Sequence, residues 1–182
     1  GGIEAPFSKE DRATIPSPSI PGYDQKPEMS AYEITDKILV AIEKQKYDFI
    51  MVNFANGDMV GHTGNLKAAT RAIEVVDECL GKIATAVLQK DGAMLITADH
   101  GNCEEMINPE TGKADTEHST NPVPVWIIGN AHRAEKLPSV SGTEPAGILA
   151  DVAPTILEIM NLPQPKEMTG KSLLKSIGRL IL

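Results

Sequence analysis

Apolar positions along this chain recur first at helical and then at strand-like spacing, and the alternation predicts a mixed α/β fold. Ile34, Ile38, Leu39 and Ile42 follow Ser30 at steps of three or four, and Glu33 lies three residues after Ser30 in the capping-box pattern, so residues 30–46 are expected to form a helix. Residues 48–54, Asp-Phe-Ile-Met-Val-Asn-Phe, make a nearly continuous apolar run of strand length, the pattern of a strand covered on both faces. The run stops at Asn56-Gly57, a turn signal. The clearest periodicity follows, with Leu66, Ala69, Ile73, Val76, Leu80, Ile83 and Val87 predicting a long helix over residues 66–89.

A second covered strand is expected at residues 93–98, leading into Asp99-His100-Gly101-Asn102. Residues 108–113 read as a tight turn or small hairpin. A third strand is expected at residues 123–128, an edge strand near Val140 and a helix over residues 147–160. Pro163 and Pro165 end that helix, and a short one is expected over residues 168–177. Consecutive strand–helix units make right-handed crossovers, so the strands should form a mostly parallel sheet covered by helices, with its polar loops on one edge where α/β folds place their ligands.

The segment before the first helix differs in kind. Five prolines (Pro6, Pro16, Pro18, Pro21, Pro27) fix φ and remove backbone donors, so residues 1–29 read as an extended connector or strap ahead of a domain over residues 30–182. Gly1 and Gly2 open the chain without an initiator Met, as a piece of a longer protein would.

Composition narrows the chemistry. With 182 residues and 41% hydrophobic content the chain can bury one sizeable core. Seventeen basic residues against 25 acidic ones give a formal charge of -8, a poor surface for nucleic acid phosphates. No apolar run approaches the roughly 20 residues that cross a bilayer, so neither nucleic acid nor membrane is expected as a partner. Without a signal-peptide pattern and with two cysteines, Cys79 and Cys103, the plain expectation is a cytoplasmic protein with free thiols.

Three of the four histidines fall in the loops beside the predicted strands, together with two aspartates: Asp58, His62, Asp99, His100 and His118. Asp58 and His62 are four residues apart, so a helical turn between them would aim both side chains at one ion. Asp99 and His100 are adjacent, and Gly101 permits the sharp turn that presenting both would require. Carboxylate oxygens with imidazole nitrogens and no thiolate suit Mn²⁺ or Zn²⁺ and fit neither a cysteine-rich structural site nor an iron–sulfur cluster. Five donors exceed what one catalytic zinc takes from protein and fall short of filling two sites, which points to a two-metal site lacking some ligands. Cys103 is read as a small buried side chain, Glu104 and Glu105 as mainly solvated, His132 as solvated, and Thr63, Asn102, Ser119 and Thr120 as candidate hydrogen-bond partners.

Asn53-Phe-Ala-Asn-Gly-Asp-Met-Val-Gly-His-Thr-Gly64, Thr97-Ala-Asp-His-Gly-Asn102 and His118-Ser-Thr-Asn-Pro-Val-Pro124, in this order, closely resemble the C-terminal part of the cofactor-independent phosphoglycerate mutases, members of the alkaline phosphatase superfamily. Pro16-Ser-Pro18 and residues 23–31 resemble the same family, and the resemblance runs essentially end to end. It implies an alkaline phosphatase-like three-layer sandwich, of which this chain is a partial domain. It also implies interconversion of 2- and 3-phosphoglycerate in glycolysis, by phosphoryl transfer through a phosphoserine at two metal ions.

On that resemblance Asp58, His62 and His118 hold one Mn²⁺, with Zn²⁺, Co²⁺ or Mg²⁺ as substitutes, and Asp99 and His100 contribute to a second. The family's serine nucleophile and one aspartate ligand have no counterpart here, nor do its substrate-binding arginines. The chain alone is therefore expected to be inactive and monomeric, to bind at most one divalent ion tightly, and to bind it less well below about pH 6, where imidazoles take up protons. A phosphatase, sulfatase or phosphopentomutase relative is the competing enzymatic reading; a metal-binding or interaction module without chemistry is the non-enzymatic one.

Overall fold

In the computed structural model, described over residues 4–130 and 145–176, the elements follow in the order α1 (Ala31–Lys44), α2 (Asn56–Gly61), α3 (Leu66–Gln89), β1 (Ala93–Thr97), β2 (Val125–Gly129) and α4 (Val152–Ile159). Short 3-10 turns at Tyr23–Gln25 and Leu149–Asp151 precede α1 and α4. Among the described residues no helix is long and apolar enough to cross a membrane.

α3 is the spine. Asn65 caps it by accepting a hydrogen bond from the Ala68 N–H at 3.2 Å. Its buried stripe is Ala68, Ala69, Ala72, Val75, Cys79, Ile83 and Ala84, mostly small residues that let α1 and α2 approach closely. The stripe is rotated from the one the larger apolar residues predicted: Leu66 and Ile73 are exposed, while Ala72 and Val75 are fully buried. One core cluster joins Val60 of α2 to Ala68, Ala69 and Ala72 of α3 with Met29 and Met106; a second joins Ala31, Val75 and Cys79, with Phe54 packed against it.

The strap is tied down at several points. Asp11 meets Lys46 at 2.5 Å and the Tyr47 hydroxyl at 2.7 Å, beyond the end of α1. Ser30 precedes α1 as expected, but its hydroxyl donates to the Pro16 carbonyl at 2.8 Å and makes no capping bond, so the expected capping box is replaced by an anchor for the strap. The Asn56 side chain donates to the carbonyls of Pro27 and Glu28, fixing the start of α2 against the strap's end.

The sheet departs from expectation. β1 and β2 form a two-stranded antiparallel pair, Leu95 opposite Ile127 and Ile96 opposite Trp126, in place of the expected mostly parallel sheet. Residues 48–54 form no strand at all. An apolar run becomes a strand only where a neighbour takes up its N–H and C=O groups, and here Phe49 and Met51 stand 51% and 83% exposed and no described strand pairs with the run. Residues 98–124, between β1 and β2, carry no helix, and without a helical crossover two neighbouring strands run antiparallel. The small hairpin at residues 108–113 is present, closed by a bridge between Ile107 and Ala114. The expected edge strand near Val140 lies outside the described residues. The helix expected over residues 147–160 is α4 with its 3-10 turn, and among the described residues of the 168–177 stretch there is no helix.

Antiparallel pairing has one consequence for the site. The chain leaves β1 and enters β2 at the same end of the pair, where the Thr97 hydroxyl donates to the Pro124 carbonyl at 3.0 Å. The loops holding Asp99-His100 and His118 are thereby side by side.

Candidate metal centre

α2 is a short helix, so Asp58 and His62, one turn apart on it, point the same way. The Asp58 Oδ1 and His62 Nε2 atoms are 3.1 Å apart. His118 arrives from the loop before β2 and places its Nε2 3.0 Å from Asp58 Oδ1 and 3.0 Å from His62 Nε2. The three donors form a nearly equilateral triangle, the spacing of atoms around one ion at roughly 2.0–2.2 Å, whose ligand edges are about 3.0–3.5 Å.

His100 stacks on His118, ring centroids 3.8 Å apart, and its Nε2 stands 3.8 Å from Asp58 Oδ1 and 3.7 Å from Asp99 Oδ1. Donor atoms of Asp58, His100 and His118 all lie within 4.8 Å of one another. The Asp99 side chain is 82% exposed and meets the cluster only through His100. The five residues singled out in the sequence are thus brought to one place, with Asp58 as the corner common to three imidazoles.

The protonation pattern follows from backbone carbonyls, which only accept. His62 Nδ1–H donates to the Thr116 carbonyl at 2.6 Å, and His100 Nδ1–H donates to its neighbour Gly101 at 3.3 Å. In the neutral rings both Nε2 atoms therefore carry lone pairs aimed toward the Asp58 carboxylate. A carboxylate and imidazole nitrogens facing one point are held together either by a proton on His118 Nε2 or by a cation among them; the donor set fits a divalent ion, and the carbonyls that orient His62 and His100 do what outer partners of metal-bound histidines do.

Around this cluster lies a polar bracket that the sequence revealed less well. The Glu104 carboxylate accepts from the Ser119 hydroxyl, from the Asn102 N–H at 2.8 Å and from the Asn121 amide at 3.2 Å, and Glu105 accepts from Asn121 at 2.9 Å. Burial pushes the Glu104 carboxyl up, but the hydrogen bonds it accepts outweigh this and hold it below the usual carboxylate range. Glu104 is therefore an engaged residue where the sequence suggested a mainly solvated one. Ser119 is a hydrogen-bond partner as expected, whereas Asn102 takes part through its backbone N–H, its buried side-chain amide nitrogen having no partner among the described residues. The Thr116 carbonyl went unforeseen, since a backbone acceptor leaves no mark in side-chain identity.

Cys103 is half-buried and directs its Sγ to the Gly57 carbonyl at 2.9 Å, away from the donor triangle. Burial first, and then the charges of Glu104 and Asp58, raise its thiol pKa and disfavour the thiolate a metal would need. His132 lies outside the described residues.

Fold and cluster together place the chain in a class. A family model described as the metalloenzyme superfamily matches residues 1–164, and the chain belongs to that superfamily. Among curated proteins it is 55% identical over 175 residues to the 2,3-bisphosphoglycerate-independent phosphoglycerate mutase of Clostridium botulinum, covering 96% of this chain and 33% of that one. To the enzyme of the same name from Rhodopseudomonas palustris it is 54% identical over 174 residues, 96% of this chain and 32% of that one. The α/β fold matches a solved structure of Leishmania mexicana phosphoglycerate mutase at low cobalt concentration with TM-score 0.73 and 32% identity, over 86% of this chain and 30% of that one. The chain spans about a third of the length of the curated relatives it matches.

Proposed function

We propose that this chain is the metal-binding portion of a 2,3-bisphosphoglycerate-independent phosphoglycerate mutase, part of an alkaline phosphatase-like three-layer domain, with phosphoglycerate as the whole protein's substrate. The observation that carries the reading is the triangle of Asp58 Oδ1, His62 Nε2 and His118 Nε2, with edges of 3.0 to 3.1 Å, in a chain more than half identical to mutases of that name.

In this reading Asp58, His62 and His118 hold one divalent ion, and Asp99 and His100 supply part of a second site. Mn²⁺ is the preferred assignment, since oxygen and imidazole donors without thiolate suit it; Zn²⁺ and Co²⁺ have the same donor preferences. When bound, such ions polarise phosphate oxygens and make a hydroxyl a better nucleophile. The residues of this chain do the rest of the local work. Asp58 supplies the negative charge common to the cluster, the Thr116 and Gly101 carbonyls hold the imidazoles with their lone pairs inward, and the Gly101–Ser119 bridge keeps the two loops in register. Among the described residues no serine stands on a strand-to-helix turn, and in this reading the serine nucleophile belongs to another part of the whole protein.

The test is to fuse the chain to the portion of the Clostridium botulinum relative that it does not match, and to assay interconversion of 2- and 3-phosphoglycerate. Activity in the fusion, absent from the chain alone and abolished by His118→Ala, is the expected result. An inactive but folded fusion that binds Mn²⁺ would favour a metal module without this chemistry.

A further inference from the structure

The two parts of the β1–β2 connection that carry His100 and His118 are joined by no disulfide among the described residues and share no helix. His100 comes from the loop after β1 and His118 from the loop before β2, and their stacked rings must keep a fixed spacing if Asp58 is to reach both. Besides the single Glu105–Asn121 hydrogen bond at 2.9 Å, two features hold the loops together. One is the backbone bridge, in which the Ser119 N–H donates to the Gly101 carbonyl at 3.0 Å. The other is the carboxylate of Glu104.

Glu104 is placed to act on both loops at once. One of its oxygens accepts the Asn102 N–H at 2.8 Å, in the turn that follows His100; the other accepts the Ser119 hydroxyl and the Asn121 amide at 3.2 Å, in the segment that follows His118. All its described partners are donors, and only a carboxylate presents acceptors at both ends. A glutamine there would turn an NH₂ group toward one of them. Neighbouring Glu105 carries the same charge but reaches the His118 segment at one point, Asn121 at 2.9 Å, and among the described residues its carboxylate bonds neither the Asn102 N–H nor Ser119.

We infer that Glu104 is a positioning residue for the metal centre, clamping the Asn102 turn to Ser119 and Asn121 so that His100 and His118 face Asp58 at fixed spacing. This rests on the proposed metal-binding reading of Asp58, His62 and His118. It goes beyond that reading by giving metal affinity to a residue that contributes no ligand atom.

The experiment compares the unsubstituted chain with Glu104→Ala, Glu104→Gln, Glu105→Ala and Ser119→Ala. Each is titrated with Mn²⁺ by calorimetry, and the visible spectrum is recorded at saturating Co²⁺. Loss of a group bonded directly to a metal-bound histidine weakens binding by about 10–100-fold, and Glu104, which bonds the adjoining backbone and side chains and not the rings, is expected at the lower end of that range. Glu104→Ala is expected to weaken Mn²⁺ within that range and to shift the Co²⁺ bands, Glu104→Gln to fall between it and the unsubstituted chain, and Glu105→Ala, which removes one bond to Asn121, to weaken Mn²⁺ and shift the bands less than Glu104→Ala does. The Ser119→Ala/Glu104→Ala double variant is expected to bind no worse than Glu104→Ala, since the serine acts through the same carboxylate.

Equal weakening by Glu104→Ala and Glu105→Ala would reduce the effect to charge and overturn the inference, as would an unchanged Co²⁺ spectrum in Glu104→Ala. If Glu104→Ala does not fold by circular dichroism, Ser119→Ala decides: unchanged affinity and spectrum overturn the clamp, and weakening with shifted bands supports it. Should the unsubstituted chain take up no Mn²⁺, the metal reading itself falls and the inference with it. Uptake by that chain together with an indifferent Glu104→Ala sinks the inference alone.

Discussion

The Nε2 atoms of His62 and His118 lie 3.0 Å apart, although the residues are separated by 56 positions in the chain. His62 donates its Nδ1–H to the Thr116 carbonyl, so the neutral ring turns the Nε2 lone pair toward His118 and toward Asp58. That arrangement is held by the fold: the helical turn of α2 aligns Asp58 with His62, and the antiparallel β1–β2 pair brings the His118 loop to meet them.

The common corner sets an order among substitutions. Asp58 Oδ1 is within 3.1 Å of His62 and His118 but 3.8 Å from His100. Asp58→Asn removes the only charge of the triangle and is expected to weaken Mn²⁺ binding by more than the roughly 100-fold that loss of an outer partner produces. His100→Ala is expected to cost less. Calorimetric titration of both variants checks the order; the reverse would move the centre of the site to the His100 side.

Gly61 offers a packing test that bears on the same centre. It is buried at the end of α2, and a Cβ there would overlap the amide oxygen of the buried Asn102 side chain. Gly61→Ala is expected to destabilise the fold by about 1–3 kcal/mol, the usual cost of overpacking, and to weaken Mn²⁺ binding because the displaced Asn102 turn adjoins His100 and Glu104. Urea unfolding and metal titration on one preparation measure both; loss of stability with intact affinity would uncouple the turn from the cluster.

How much of this could be read from the letters depended on what each residue required. α3 was legible to the residue, since 24 positions of helical spacing need no outside partner, and Asn65 capped it. That Asp58, His62, Asp99, His100 and His118 converge was legible because Asp and His concentrated beside apolar runs suggest a shared partner. Residues 48–54 were misread as a strand, because an apolar run records what a segment would be covered by, and no described strand pairs with it. The buried stripe of α3 was misjudged by one position, since close approach of α1 and α2 selects Ala72, Val75 and Cys79 over the bulkier Ile73. Glu104 was underrated because its partners lie up to 17 residues away along the chain.

The cap of α3 gives a separable stability prediction. The Asn65 side chain accepts from the Ala68 N–H, so Asn65→Ala leaves that donor to solvent and is expected to cost about 1 kcal/mol. The midpoint of urea unfolding should fall without a change in slope. A change below a few tenths of a kcal/mol would mean that water replaces the cap fully.

Acid stability should carry the mark of Asp151. Its carboxylate accepts the Lys171 N–H at 2.7 Å and the Ile148 N–H at 2.9 Å, pinning the segment after α4 to the turn before it, and these bonds hold its pKa below the usual carboxylate value. A depressed folded-state pKa contributes stability that is present above the unfolded value, near pH 4, and lost as pH falls through the folded one. Asp151→Asn is therefore expected to lower stability at neutral pH and to flatten its decline on acidification below about pH 4. Parallel unfolding curves for the two proteins at every pH would remove Asp151 from the acid response.

The central claim is that Asp58, His62 and His118 share one divalent ion. Its most direct measurement is calorimetric titration of Mn²⁺ into the chain at neutral pH, alongside His118→Ala. One tight site per chain, lost in His118→Ala while the fold persists by circular dichroism, is the predicted result. No uptake, two equally tight sites, or binding indifferent to His118→Ala would contradict it.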